Sequence, residues 1–389
     1  MKSLKPKIQF AYFHFLVFVF LFFSLLAENS IAQDFKTAHP GVEYAHVDHK
    51  IGSDPVKINL LRLDLKKVRL DVYHAFDNAI GVAPTSEIAQ SHNAIAAINA
   101  GFFRLDKSQF VGDAAGLLII DREIFSEATR DRIAIGISNR RKNTEVEFGH
   151  SDLHCGAKIG RFTFDFSGIN RERGANEVIL YTPQFNTTTL TSSDGIEIVI
   201  KQDRVVQIAS GSSLIPRGGY VISAGGRRGE EMKKVLRVGQ AVELVTLYTT
   251  KSISHQPDPP KVEDDEDVVA GVPQLIKNGE IDITWEQEKA SKSFAEMRHP
   301  RTAVAKLKDG KFLMITVDGR QPGVSVGMNL QELAEYLLSL GATDAMNLDG
   351  GGSTTMFLDG KVVNTPSEKD GERKVSDAII VTLRKNTRR

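Results

Sequence analysis

Asp318 and Asp349 are the residues of this sequence best suited to acid, base or nucleophilic chemistry. Each follows an apolar segment, KFLMITV or TDAMNL, whose pattern predicts a β-strand. Glycosidases use paired carboxylates about 5 to 9.5 Å apart. Each aspartate also precedes a glycine, and Asp-Gly is a favoured turn pair, so a purely structural role is an equally good interpretation of the spacing alone.

The elements around these aspartates predict that both lie at one edge of a sheet. NLQELAEYLLSLGA has leucines at helical spacing, with Asn329 and Glu332 arranged as a capping box and Gly341 at its C-terminal end. A strand, a crossover helix and a strand form a parallel pair, which places the carboxyl ends of both strands at the edge where ligands bind. We expect strand axes about 4.8 Å apart for neighbours, or about 10 Å apart with one strand between them.

A glycine-rich segment and several arginines could hold an anion near Asp349. Gly350, Gly351 and Gly352 let the backbone approach a ligand closely, and Ser353 and Thr354 add hydroxyl donors. A predicted hairpin, STTMFLDGKVVN, follows, so the glycines do not open a phosphate-binding helix and a Walker or Rossmann site is excluded. The arginines that could clamp a phosphate are Arg298, Arg301 and Arg320.

The rest of the chain predicts a sheet-rich domain of mixed α/β (α+β) class with few helices. VKINLLRLDL and VRLDVYHAF predict a β-hairpin, and AIAAINAGFF predicts a strand that runs into Gly101. A short helix is expected from Pro84 to Ser91. The predicted fold is a single catalytic domain, residues 33–389, with a mixed sheet and a C-terminal βαβ unit.

The segment 252–267 is predicted to be an acidic, proline-rich surface loop. It holds Pro257, Pro259, Pro260 and the acidic cluster from Glu263 to Asp267, a composition that does not suit the interior of an element. The cluster lacks the ligand spacing and the glycine of an EF-hand, so a solvated loop is favoured over a calcium site.

Composition and charge exclude several classes of protein. The chain is 41% hydrophobic and 25% charged, which is typical of a globular protein and not of a disordered or fibrous one. The 49 Lys and Arg residues balance 49 Asp and Glu residues, and no basic stripe indicates a nucleic-acid partner. Cys155 is the only cysteine, so no intrachain disulfide can form, and it is predicted to be a buried small residue.

Residues 1–32 have the architecture of a signal peptide. Lys2, Lys5 and Lys7 precede an apolar run from Phe10 to Ala27, and a small-residue site ends at Ala32. An uncleaved membrane anchor is the competing interpretation. Either way we expect the protein to be exported, periplasmic or extracellular after cleavage, with membrane contact only through this segment.

Taken together, INAGFF, DVVAGVPQLIKNGE and the segment from RHPRTAVAKL through NLDGGGSTTM resemble the phosphodiester glycosidase family. The resemblance covers nearly everything after the predicted signal peptide and is most specific in the C-terminal half. It implies hydrolysis of the bond between a sugar's anomeric carbon and a phosphodiester, with an N-acetylglucosamine-phosphodiester or polysaccharide-linked sugar as substrate. No cofactor is expected, and a structural divalent cation stays an open alternative.

The resemblance also implies site residues at the matching positions. Asp349, Asp318 and Asn99 are the implied catalytic residues. The implied substrate- and phosphate-binding residues are Arg298, Arg301, Arg320, Asn347, Gly101, Phe103, Gly351, Gly352, Ser353 and Thr354. In AGVPQL the chain departs from a glycine-richer family pattern, so Val272 is expected to narrow or reshape that wall.

The working hypothesis is that Asp349 or Asp318 acts as nucleophile or as base for water, while arginines and glycine N–H groups hold the phosphate. Asn99 and Asn347 would orient sugar hydroxyls. One alternative is a metal-dependent phosphodiesterase that breaks the P–O bond, with the two aspartates as ligands of a hard cation. Another is a non-catalytic envelope protein that binds polysaccharide.

Overall fold

β-Strands dominate the part of the chain that the computed structural model describes, which is residues 33–129, 131–253 and 265–385. The predicted signal peptide, residues 1–32, lies outside these ranges, as do residues 254–264 of the predicted acidic loop. Within these ranges no helix is both long enough and apolar enough to cross a membrane. The expected sheet-rich fold with few helices is confirmed.

The strands are distributed along the whole described chain. The first of them are β1 (Lys36–His39), β2 (Val42–Ile51), β3 (Asp54–Leu63), β4 (Val68–His74), β5 (Ala83–Pro84), β6 (Ala96–Asn99), β7 (Leu118–Ile120), β8 (Glu123–Ser126), β9 (Ile133–Asn139), β10 (Thr144–Ile159), β11 (Phe162–Asp165), β12 (Gly168–Ile169) and β13 (Val178–Tyr181). They are followed by β14 (Gly195–Lys201), β15 (Arg204–Ala209), β16 (Gly219–Gly225), β17 (Val242–Ser252), β18 (Asp267–Ala270), β19 (Gln274–Lys277), β20 (Glu280–Ile281), β21 (Arg301–Leu307), β22 (Phe312–Val317), β23 (Ala342–Asn347), β24 (Met356–Leu358), β25 (Lys361–Val362), β26 (Lys374–Val375) and β27 (Asp377–Leu383).

The α-helices of the described residues are short. They are α1 (Thr85–Ser91), α2 (Gly226–Val235), α3 (Lys292–Glu296) and α4 (Leu330–Ser339). The predicted helix near Pro84 is confirmed as α1, with Pro84 at its N-cap. Single 3₁₀ turns occur at Ala75–Asp77 and Gly351–Ser353.

Four larger sheets organise the described residues, and their neighbouring strands are antiparallel except for the parallel pair β12 and β13. Sheet A has the order β1-β2-β3-β22-β21-β23-β19-β20, and sheet B has the order β11-β10-β9-β18-β7-β8 with β17 beside β10. Sheet C has the order β12-β13-β16-β14-β15, and sheet D has the order β25-β24-β6-β27-β4. The candidate site lies at the ends of strands from sheets A and D.

The predicted strand–helix–strand unit is present in sheet A. β22 and β23 run parallel but are not direct neighbours, because β21 lies between them and is antiparallel to both. Asn329 and Glu332 form the predicted capping box of α4, and Gly341 follows the helix with a φ of 85°. The face of α4 that packs in the core comprises Leu330, Leu333, Ala334 and Leu337. Burial of each leucine there contributes about 1.5–3 kcal/mol, which fixes the helix on the sheet.

Other local predictions have mixed outcomes. The hairpin that turns at Asp359 and Gly360 is confirmed as β24 and β25, and Cys155 is buried as predicted. The hairpin predicted from VKINLLRLDL and VRLDVYHAF was wrong, because β3 pairs with β2 and β22 whereas β4 pairs with β27 in another sheet. Both strands carry enough apolar surface to find distant partners, so sequence proximity did not decide their pairing.

The predicted loop 252–267 was wrong at its C-terminal end. Asp267 is buried and begins β18, and its carboxylate accepts hydrogen bonds from the N–H groups of Val72 and Asp121, both at 2.8 Å. Asp265 is also buried and accepts from the Ser138 hydroxyl at 2.7 Å. These donors satisfy carboxylates that composition alone assigns to solvent.

Candidate active site

Asp318 and Asp349 leave sheet A at the same edge, one on each side of β21. Val317, the last residue of β22, pairs with Arg301, and the N–H of Leu348, just beyond β23, donates to the Thr302 carbonyl at 2.9 Å. Because one strand intervenes, the axes of β22 and β23 are about 10 Å apart. The shared edge is therefore as the sequence predicts.

The carboxylate of Asp318 is buried and engaged by the protein. The Thr365 N–H lies 3.1 Å from each carboxylate oxygen, and the Asn364 side-chain amide donates to Oδ1 at 3.1 Å. Burial raises the pKa of Asp318, while these two donors oppose that shift. Asp318 is only 1% exposed, so its contacts tie the 364–365 segment to the sheet edge.

Asp349 is partly exposed, and its backbone is anchored to the end of β6. Its N–H donates to the Ala100 carbonyl at 2.9 Å, and its own carbonyl accepts from the Asn99 side-chain amide at 2.7 Å. Loss of hydration raises the pKa of Asp349 to about 7, and the charge of Asp377 acts in the same direction. The Asp349 carboxyl can therefore exchange a proton near neutral pH.

Asp377 is a second carboxylate beside Asp349, and sequence reasoning missed it. It is 1% exposed, accepts from the Gly101 N–H and the Ser376 hydroxyl at 2.6 Å each, and its carbonyl accepts from the Ala100 N–H at 3.2 Å. Burial raises its pKa. The available signal was an aspartate heading the otherwise apolar strand DAIIVTL, where a charge needs a specific partner.

The INAGFF motif joins these two aspartates. The Ala100 carbonyl accepts from the Asp349 N–H, and the Ala100 N–H donates to the Asp377 carbonyl. At Gly101 a Cβ atom would lie 3.2 Å from the Asp377 carboxylate and 3.2 Å from Val269, so a side chain would crowd this contact. The motif therefore brings together two carboxylates that are supplied by different sheets.

Asn99 and Phe103 are both predicted site residues, but Asn99 is buried and contacts the Asp349 backbone whereas Phe103 is partly exposed. The Asn99 side chain is buried, and its oxygen accepts from the Thr302 hydroxyl at 2.8 Å and the Thr355 N–H at 3.1 Å. Because its amide also holds the Asp349 carbonyl, Asn99 acts on the position of Asp349. Phe103 is partly exposed and forms an isolated bridge with Ala114.

The glycine segment after Asp349 lies between two arginines. Gly351 has a φ of 61°, and a Cβ there would lie 3.0 Å from the Arg320 guanidinium. The ion pair of Glu368 and Arg373 lies against Gly352. Unbalanced positive charge therefore lies on the Arg320 side of the segment, whereas Glu368 pairs with Arg373 on the other side. Arg373 lowers the pKa of Asp349 against the larger effect of burial.

Three buried hydroxyl groups follow the glycines. Ser353, Thr354 and Thr355 are at most 1% exposed. The Ser353 hydroxyl interacts with the Asp349 carboxylate and lowers its pKa, whereas within the described ranges the hydroxyl oxygens of Thr354 and Thr355 have no hydrogen-bond partner. An unsatisfied buried polar group costs about 1–3 kcal/mol. A ligand or water that bonds to these hydroxyls would remove that cost.

Arg298 and Arg301, predicted to bind phosphate, serve the scaffold. Arg298 donates to Glu332 and to Asp54, at 2.6 Å and 2.7 Å for the shortest contacts. Arg301 is 1% exposed and donates to the carbonyls of Met328, Phe294 and Met297 at 2.9, 2.7 and 3.1 Å. Burial lowers the pKa of Arg301 to about 10. Both guanidinium groups fix the chain segments around α3 and α4.

Arg320 is exposed and forms no ion pair with any described residue. Its guanidinium lies 3.5 Å from the His299 ring and, as noted, next to Gly351. Of the three predicted arginines, it is the one whose charge is available to an anion at this edge.

Asn347 and Val272 form a buried contact behind the site. The Asn347 amide donates to the carbonyls of Val272 and Leu348, both at 2.7 Å, while its oxygen has no partner within the described ranges. Val272 is 5% exposed, so its side chain is part of the core at this point. Among all the residues that the structure describes, no group of three or more His, Cys, Asp or Glu side chains is placed to hold a metal ion.

Comparison with known proteins finds a family match for the C-terminal half of the chain. A family model described as phosphodiester glycosidase matches residues 194–382. N-acetylglucosamine-1-phosphodiester alpha-N-acetylglucosaminidase of Bos taurus is 33% identical over 165 residues, which are 40% of this chain and 29% of that protein. The human protein of the same name is 34% identical over 135 residues, 32% of this chain and 25% of its own length. The chain thus spans less than a third of these curated relatives.

Two solved structures share the fold. A protein of Synechocystis superposes with a TM-score of 0.77 and 23% identity, covering 91% of this chain and 64% of that one. A protein of Burkholderia pseudomallei described as exported gives a TM-score of 0.72 and 20% identity, with 85% and 74% coverage. The family match contains Asp318, Arg320, Asp349 and Asp377, whereas the INAGFF motif precedes it. Residues 194–382, slightly under half of the chain, therefore match the phosphodiester glycosidase family model.

Proposed function

We propose that this protein is an exported hydrolase that cleaves the bond between the anomeric carbon of a sugar and a phosphodiester. The observation that carries the proposal is the partly exposed Asp349 beside the buried Asp377, joined through Ala100. The family match supports the reaction type, and the glycosidase named among the relatives supports an N-acetylglucosamine-phosphodiester or a related polysaccharide-linked sugar as substrate.

Asp349 is the carboxylate that we assign to the anomeric carbon, either as nucleophile or as base for water. Its partial exposure makes it reachable, and a pKa of about 7 allows it to ionise at neutral pH. Asp377, whose oxygens accept from Gly101 and Ser376, acts on Asp349 through its charge. Because Asp318 is engaged by Asn364 and Thr365, we assign it to positioning that segment.

The phosphate end of the substrate is assigned to Arg320 and to the backbone of the glycine segment. When the C–O bond breaks, the oxygen that leaves the sugar stays on phosphorus as a phosphate monoester, a weakly basic anion. Such a leaving group needs less help from a general acid than an alcohol does, so fixed positive charge carries more of the stabilisation. Water supplies a hydroxyl to the sugar and a proton to the phosphate.

Export is supported by the signal-like sequence of residues 1–32 and by the description of the Burkholderia relative as exported. The proposed reaction uses no cofactor, so we expect turnover to survive treatment with EDTA. Loss of turnover in EDTA that returns with a divalent cation would favour the metal-dependent alternative.

Hydrolysis in ¹⁸O-labelled water tests the reaction. Purified protein is incubated with a synthetic N-acetylglucosamine-1-phosphodiester, and the masses of both products are measured by mass spectrometry. C–O cleavage places the label in the sugar, as we expect. Label in the phosphate would overturn the proposal in favour of a phosphodiesterase, and binding without hydrolysis across a panel of sugar phosphodiesters would favour a non-catalytic polysaccharide-binding protein.

A further inference from the structure

A second concave surface lies along β4 and β27, away from the aspartates. It encloses about 970 Å³, which is within the usual range of ligand-binding clefts. It is lined by residues of β4 and β27, among them Arg69, Tyr73 and Thr382, by the 139–142 turn and by His92, Asn93 and Ile95. We call it the basic groove.

The basic groove has a large excess of positive charge. Its one acidic lining residue, Asp71, is paired with Arg69 at 3.0 Å. The remaining lining cations without an ion pair to any described residue are Lys66, Arg141, Lys142, Arg384 and Lys385. Since the whole chain has a formal net charge of zero, this is a local concentration of charge and not a general property of the surface.

Hydrogen bonds between side chains and backbone hold the segments that line the basic groove. Arg384 donates to the carbonyls of Val68 and Arg140 at 3.0 and 2.8 Å and to the Thr144 hydroxyl at 2.7 Å. The Asn139 amide donates to the Leu70 carbonyl at 2.7 Å. These bonds fix the backbone of the 139–142 turn against β4, so the segment that carries Arg141 and Lys142 is already in place when a ligand arrives.

The basic groove is separate from the candidate active site. Side chains alternate along a strand, so Thr382 and the residues opposite it on β4 face away from the side of sheet D toward which Asp377 points. Thr382 is five residues along β27 from Asp377, a distance of about 17 Å. A ligand in the groove therefore need not contact Asp349 or Asp377.

We propose that the basic groove binds an anionic polysaccharide, that is, a polymer of sugars carrying carboxylate or sulfate groups. The lining residues form a concave surface, to which a single sugar chain can conform more closely than a flat bilayer can. Single-stranded nucleic acid is generally bound by successive aromatic platforms, and the aromatic lining here is limited to Tyr73 and His92, whose rings stack at 3.5 Å. One such platform suits a sugar ring beside a row of charges.

The test is binding of the full-length protein to polygalacturonate, measured by calorimetry at low and moderate salt. We expect binding that weakens as salt rises, no binding to neutral dextran, and at least a tenfold loss of affinity in the double variant R141E/K142E. The matched control is K233E/K234E, the same charge change at two exposed lysines of α2. Both variants should hydrolyse a small sugar phosphodiester as the wild type does.

Several outcomes would overturn the proposal. One is equal affinity of R141E/K142E and the control for polygalacturonate. Another is tighter binding to phosphatidylglycerol vesicles or to a single-stranded oligonucleotide than to polygalacturonate. Because binding and hydrolysis are measured separately, failure of the groove proposal leaves the assignment of Asp349 untouched, and the reverse also holds.

Discussion

Asp318 and Asp349 begin from nearly the same local sequence and end in different environments. Each follows an apolar strand of sheet A and precedes a glycine, and both lie at one edge of that sheet. The segment 364–365 covers Asp318 and donates to its carboxylate, whereas Asp349 stays partly exposed beside a second carboxylate and a glycine segment. An Asp-Gly strand end thus becomes covered or accessible according to what packs over it.

The first test of this contrast, with the largest expected effect, is Asp349→Asn. If Asp349 acts at the anomeric carbon, kcat/KM for a sugar phosphodiester should fall by about 10³-fold or more, because the reacting carboxylate is gone. Thermal unfolding should stay close to that of the wild type. Asp309→Asn, at an exposed turn, is the control. Near-normal turnover in the Asp349 variant would remove this residue from the mechanism.

At the other strand end, Asp318→Ala should act on stability. The Thr365 N–H and the Asn364 amide would lose their acceptor, and each unsatisfied donor costs about 1–3 kcal/mol, so we expect a loss of about 2–4 kcal/mol in the free energy of unfolding. Denaturant unfolding measures it. Activity of the folded fraction should stay within about tenfold of the wild type. Full stability with abolished turnover would reverse the roles of the two aspartates.

Asp377→Asn tests whether the second carboxylate controls the first. Asp349 has to be ionised to act as nucleophile or base, so kcat/KM should rise as pH increases through about 7, its pKa in the folded protein. Removing the negative charge of Asp377 should move this midpoint to lower pH and reduce the maximum by about 10²-fold. The measurement is a pH profile of kcat/KM. An unchanged midpoint would show that Asp377 has only a structural role.

The smallest effect is expected for Arg320→Ala. This guanidinium is exposed and unpaired among the described residues, so its loss should change stability by less than about 0.5 kcal/mol. We expect KM to rise about tenfold for a sugar phosphodiester, with little change for a neutral aryl glycoside of the same sugar. Arg227→Ala, at an exposed position on α2, is the matched control. Equal losses on both substrates would argue against a phosphate contact.

Local sequence was sufficient where a few neighbouring residues decide the structure. The capping box of α4, the apolar face of that helix, the hairpin at Asp359 and Gly360, and a strand in AIAAINAGFF were all predictable from spacing and turn chemistry, although that strand ends at Asn99 and not at Gly101. The placement of Asp318 and Asp349 at one edge also followed, because a crossover helix makes β22 and β23 parallel whether or not a strand lies between them.

Partners distant in sequence were decided only by the tertiary structure. The insertion of β21, the separation of β3 from β4 and the burial of Asp267 depend on pairings that no local pattern contains. The same holds for Asp377 beside Asp349, and for the basic groove, which gathers cations from three separate parts of a chain with no net charge. The physical reason is that burial and charge act between groups brought close by packing, while spacing in the sequence specifies only which groups are available.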